Sequence, residues 1–146
     1  MAHLKNIEND LNLSLSPAKV NKKLIKCSCS IITSQLSLDF EETRDKNISL
    51  ENIEYLRKFV SVAEKIEDYE DEKEIFSFYP IDLFIKLDIY KSNNNILWIN
   101  LSVPIGVYSN SKESGYELGF NFSVTLKSLV TFFNNFLLEF ESLGSK

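Results

Sequence analysis

Hydrophobic and polar positions alternate along this chain with two different periods, and the changes of period mark its elements. Leu4, Ile7, Leu11 and Leu15 stand three, four and four residues apart. That is the spacing of one helix face, so a short amphipathic N-terminal helix is predicted, ending before Pro17. From Leu24 the period becomes two. Ile25, Cys27, Cys29 and Ile31 alternate with Lys26, Ser28 and Ser30 over 24 to 32, as a half-buried strand requires. Leu36, Leu38 and Phe40 keep that period on the opposite phase, so a turn or bulge at Thr33-Ser34 should lead into an antiparallel strand over 35 to 41.

Beyond the charged connection Glu41 to Asn47, Ser49 is placed to cap a helix beginning near Leu50, with Glu51 and Glu54 at its positive end. Ile53, Leu56, Val60 and Ala63 follow helical spacing, and Tyr55, Phe59, Val62 and Ile66 widen the face, so a broad surface should lie beneath. Ile81, Leu83, Ile85, Leu87 and Ile89 then alternate over 81 to 90. After Ser92 to Asn95 the odd positions Leu97 to Val107 continue the pattern over 96 to 108, which predicts a long hairpin. Odd residues share a face only if paired positions sum to an even number, which sets Tyr90 or Asp88 opposite Trp98. A further strand is expected over 116 to 124, and Thr125 should cap a last helix carrying Leu126, Leu129, Val130, Phe133, Leu137 and Phe140, ending near Gly144. Pro80 and Pro104 each remove a ladder donor, so an edge or bulge is expected near Pro104.

Consecutive strands kept apart from helices define an α+β fold: a mainly antiparallel sheet, two main helices packed on one face, and the short N-terminal helix. A chain of 146 residues is expected to form one domain, with 1–20 as helix and linker and 21–143 as the core. Cys27, Cys29, Leu38, Ile85, Leu87, Leu101, Phe120, Phe122, Phe133 and Leu137 should be buried together.

Composition then narrows the chemistry. Sixteen basic against twenty-one acidic side chains give a net charge of -5, the wrong sign for tracking phosphates, so direct nucleic-acid binding is disfavoured. All four glycines lie at Gly106 or later without a phosphate-loop spacing. The one histidine, His3, falls near a terminus expected to be mobile, which leaves a Ser or Cys nucleophile without a base. Cys27 and Cys29 sit two apart on one strand face, badly placed to bridge, and read as small apolar core residues. No catalytic, cofactor-binding or metal-ligating residue is assigned. No apolar run reaches the roughly 20 residues of a membrane span. The opening Met1 to Asn6 lacks a secretory pattern, so the cytoplasm is the expected compartment.

Two features stand out against that background. Glu67, Asp68, Glu70, Asp71, Glu72 and Glu74 form an acidic run opposed only by Lys73, a loop or frayed helix end. Phe84, Tyr90, Trp98 and Tyr108 fall at even positions, opposite the core. Either the N-terminal helix or the 75 to 80 segment covers these rings, or they anchor a binding face rimmed by Asp82, Asp88 and Glu117.

The helix start Ile48-Ser49-Leu50-Glu51-Asn52-Ile53-Glu54-Tyr55-Leu56 is followed by the aromatic-rich Phe76-Ser77-Phe78-Tyr79-Pro80 and two long strands. Phe120-Asn121-Phe122 then leads into Leu126-Lys127-Ser128-Leu129-Val130. In this order residues 48 to 143, about two thirds of the chain, resemble the WapI-like immunity proteins of bacterial polymorphic and contact-dependent toxin systems. The resemblance implies a non-enzymatic cytoplasmic protein that binds and neutralises a cognate toxin domain, expected as a monomer rather than a homo-oligomer. Toxin domains that act on nucleic acid are commonly basic, and an acidic inhibitor is steered to them. The toxin-binding surface is then expected on Glu67, Asp68, Glu70, Asp71, Glu72 and Glu74 together with Asp82, Asp88, Tyr90 and Trp98. The alternatives are an acidic secretion-type chaperone, dimeric and holding an extended effector segment, and a carboxylate-dependent enzyme using Asp82 and Asp88.

Overall fold

The computed structural model describes residues 1–39, 46–63, 73–82, 84–93, 95–105 and 116–144. Among these, the elements run β1 (Ala2–Lys5), β2 (Leu11–Asn21), β3 (Leu24–Thr33), β4 (Ser37–Asp39), β5 (Asn47–Ser49), α1 (Leu50–Val62), β6 (Glu74–Phe78), β7 (Lys86–Asn93), β8 (Ile96–Ile105), β9 (Tyr116–Thr125) and α2 (Leu126–Gly144). The fold is α+β, and all strand pairing is antiparallel. The strands divide into two sheets. The first runs β1-β2-β3-β4, with β5 also on β3, and the second runs β6-β7-β8-β9. β5 pairs with Leu24–Lys26 and β4 with Ser30–Ile32, so these two short strands lie in succession along one edge of β3. The sheets meet where the Ile7 N–H donates to the Ser123 carbonyl at 2.9 Å.

The helix and linker expected over residues 1–20 are instead a β-hairpin. Ala2 and Leu4, then Leu11, Leu13 and Leu15, alternate with more exposed neighbours and are all buried. Leu13 pairs with Ile31 and Leu15 with Cys29, so β3 supplies the apolar partner surface that a strand needs and a helix would not match. Ile7, counted in the helical spacing, is exposed in the β1–β2 turn. His3 lies within β1 with Nδ1 2.9 Å from Ser14 Oγ, so the expectation of a mobile end does not hold there. Pro17 has no N–H for the ladder, and the register shifts between Pro17 and Lys19.

Ser49 caps α1 as the sequence predicts. The Asn52 N–H donates to Ser49 Oγ at 3.1 Å, and the Ser49 N–H donates to Asn52 Oδ1 at 3.0 Å. The buried stripe of α1 is narrower than expected: Ile53, Leu56 and Phe59 are buried, whereas Tyr55 and Val62 are exposed. α1 touches β5, β6 and α2, along strips rather than over a broad sheet. α2 is the reverse case. It touches β1, β2, β9 and α1, and accordingly buries Leu129, Phe132, Phe133, Phe136 and Leu137. The Phe133 ring packs edge-on against Phe59 at 5.7 Å and Phe76 at 6.0 Å, joining α2 to α1 and β6.

The strand expected over 81 to 90 begins only at Lys86. Ile81 and Asp82 lie in a turn, and Phe84, expected opposite the core, is 1% exposed; outside a regular strand, odd and even positions no longer assign faces. The segment before Pro80 contributes β6, a strand absent from the expected set. β7 pairing ends at Lys86–Ser102, so β8 has run past its neighbour on one side when it reaches Pro104, the local edge that proline requires. Cys27, Cys29, Ile85, Leu87, Leu101, Phe122, Phe133 and Leu137 share one core, with Leu38 and Phe120 partly buried against it. Neither cysteine is in a disulfide, and burial raises the Cys27 pKa well above its ordinary range, leaving an inert core thiol.

Candidate binding face

The second sheet has one face in the core and one in solvent, and the alternation of each strand decides which residues go where. In β8, Leu97 and Ile99 are fully buried while Trp98 between them is 40% exposed. Register assembles the outer residues into rows. One row runs Ser77–Asp88–Asn100–Asn121 and the next Glu74–Tyr90–Trp98–Ser123. The pair Tyr90–Trp98 is one of the two alternatives that the sequence allowed. Neither covering layer materialises over Trp98: the N-terminal segment is a strand pair, and β6 joins the sheet at its edge rather than lying across it. At Gly119, also on this face, an added Cβ would meet nothing within 4 Å.

Carboxylates and hydroxyls order the β6 end. The Tyr79 hydroxyl donates to Asp88 Oδ1 at 2.7 Å; Ser77 Oγ lies 2.9 Å from that same oxygen and in contact with Glu74 Oε1. The Asp88 acceptor, favouring the protonated phenol, pushes the Tyr79 pKa up to about 12. Tyr90 is also raised, by desolvation first and then by the negative charges of Asp88 and Glu74. The Trp98 indole N–H donates to Asn100 Oδ1 at 2.9 Å, tying the ring to its neighbour on the same strand face. Lys86 Nζ pairs with Glu117 Oε1 at 2.6 Å across Ser102 and Gly119.

Trp98 separates two hollows. One of about 390 Å³ is lined by Tyr90, Lys91, Ser92 and Asn100, and one of about 440 Å³ includes Asn6, Glu8, Asp10, Asn121 and Ser123. Of the sequence-predicted site residues, Glu74, Asp88, Tyr90 and Trp98 come together here. Asp82 does not share a strand face with Asp88. It sits in the turn after Pro80, where its Oδ2 accepts the Asn47 N–H at 2.9 Å and ties that turn to β5. Glu67, Asp68, Glu70, Asp71 and Glu72 lie outside the described residues, as does Tyr108.

Tyr79, Ser77, Glu8 and Asp10 were not singled out by sequence reasoning. An alternating reading of Phe76 and Phe78 would have found β6 and its outward Ser77, but nothing local carries Glu8 and Asp10 to Trp98, since a long-range sheet junction does that. Among the described residues no group of three or more His, Cys, Asp or Glu is placed to hold a metal ion, and no helix is long and apolar enough to cross a membrane. Comparison with protein-family models, curated proteins and solved structures finds no match to this chain.

Proposed function

We propose that this chain is a cytoplasmic immunity protein that neutralises a cognate bacterial toxin domain by binding it on the outer face of the second sheet. The observation that carries the proposal is Trp98, 40% exposed at the centre of a four-stranded face, with Tyr90 and Tyr79 nearby and Glu74 and Asp88 alongside. Aromatic anchors within a polar surround are the composition of a protein-binding hot spot. A net charge of -5 favours a basic partner, of the kind found among nucleases, and steers the encounter. Its action is occupancy rather than catalysis, and it works as a monomer.

Co-expression with the toxin domain encoded upstream should protect cells, and a pull-down at low micromolar concentration should recover the complex. Reversing Glu74 and Asp88 to Lys should slow association and flatten its salt dependence. Recovery of nothing, with both proteins folded, rejects the proposal for that pair.

A further inference from the structure

Resting on this protein-binding reading, we propose that the hollow between the β1–β2 turn and Trp98 receives an arginine side chain of the partner protein. The hollow, about 440 Å³, has the Trp98 ring on one side and contributions from Glu8, Asp10 and Asn121. Among the described residues its charged lining is Glu8 and Asp10, both negative, with no lysine, arginine or histidine to neutralise them. The buried Asn6 holds that turn: its Oδ1 accepts the N–H groups of Asp10 at 2.9 Å and Leu11 at 3.0 Å, while its Nδ2 faces the carboxylates of Glu8 and Asp10. The Ile7–Ser123 bond fastens the turn to β9, which sets the backbone of Glu8 and Asp10 beside the Trp98 row of the sheet.

The chemistry of the lining selects the occupant. An anion would be repelled, and an apolar group would strip water from two carboxylates without replacing its hydrogen bonds. A cation is attracted both by the carboxylates and by the negative face of the indole. Between the two basic side chains, the flat guanidinium can cover a ring with its face while directing its N–H groups sideways to carboxylates, which an ammonium cannot do.

Trp98 is the only tryptophan in the chain, so its emission reports directly on the hollow. The full chain is titrated at low ionic strength with hexa-arginine and, separately, with hexa-lysine. A saturable change in emission is expected with hexa-arginine at a lower concentration than with hexa-lysine. The double variant Glu8→Gln/Asp10→Asn, which keeps acceptors for Asn6, should raise the half-saturation concentration about tenfold, the scale of a lost charge-assisted pair. Glu51→Gln/Glu54→Gln, removing equal charge from α1, should leave it nearly unchanged. An unaltered titration in the Glu8/Asp10 variant, an equal loss in the α1 variant, or equal response to the two peptides overturns the assignment. Cognate toxin separates the two levels. If it binds the parent and the Glu8/Asp10 variant equally well, the arginine site is wrong and the immunity proposal stands. If it does not bind the parent while the peptide titration behaves as expected, the immunity proposal fails and the arginine site stands.

Discussion

The two faces of the second sheet share every strand and every backbone hydrogen bond, yet they present opposite chemistry. On the inner face Leu87, Ile89, Leu97, Ile99, Leu101, Val103 and Val124 are fully buried. On the outer face the intervening positions carry Asp88, Tyr90, Trp98, Asn100 and Asn121, each at least partly open to solvent. One face is committed to the core by the helices and the first sheet. The other is covered by neither helix, so its side chains can be chosen for a partner at little cost to folding. Stability and binding should therefore separate along a single strand, one residue apart.

The inner face carries the largest expected effects. Phe133→Ala removes the ring that α1, α2 and β6 share and should cost about 3 to 5 kcal/mol of unfolding free energy in urea titration. Within β8, Ile99→Ala should cost about 2 to 5 kcal/mol, whereas its outward neighbour Asn100→Ala should stay within about 0.5 kcal/mol, although it frees the Trp98 indole N–H. Equal losses at these two adjacent positions would erase the distinction between the faces.

Much of this division is legible in the sequence, because a period of two over several residues reports a half-buried strand without knowledge of its partners. The alternation over 81 to 90, 96 to 108 and 116 to 124 locates three strands, and parity allows Tyr90 or Asp88 opposite Trp98, the first of which is found. Ser49 and Thr125 mark both helix starts, since capping is a local interaction. The N-terminal hairpin is not legible in the same way. Leu4, Ile7, Leu11 and Leu15 satisfy a helical spacing, while Leu11, Leu13 and Leu15 satisfy a strand, and only pairing with β3 decides between them. Phe84 misleads because it lies in the irregular stretch before β7, where alternation carries no meaning. A different long-range contact, the Ile7–Ser123 bond between the β1–β2 turn and β9, hid Glu8 and Asp10 from the candidate site.

A smaller effect sharpens the outer face. The Tyr79–Asp88 bond requires the phenol to be protonated, and its pKa in the folded chain is raised from 10.0 to about 12. Its stabilisation is thus fully present below the ordinary tyrosine pKa and is lost as pH rises through the folded value. Tyr79 is half exposed, so solvent screens the contribution to well under about 1 kcal/mol. The stability difference between parent and Tyr79→Phe, measured by urea unfolding, should be present at pH 8 and fade between pH 10 and 12. A difference that grows over that interval would contradict the assignment.

Trp98→Ala, with unfolding free energy and toxin affinity measured on the same preparation, distinguishes a binding anchor from a core residue. Loss of an exposed cross-strand ring should cost about 1 kcal/mol of stability. Loss of a desolvated anchor should raise the dissociation rate and cost about 2 kcal/mol or more of binding. A stability loss of about 3 to 5 kcal/mol with unchanged affinity is the signature of a core residue, and would place the binding site on another face of the protein.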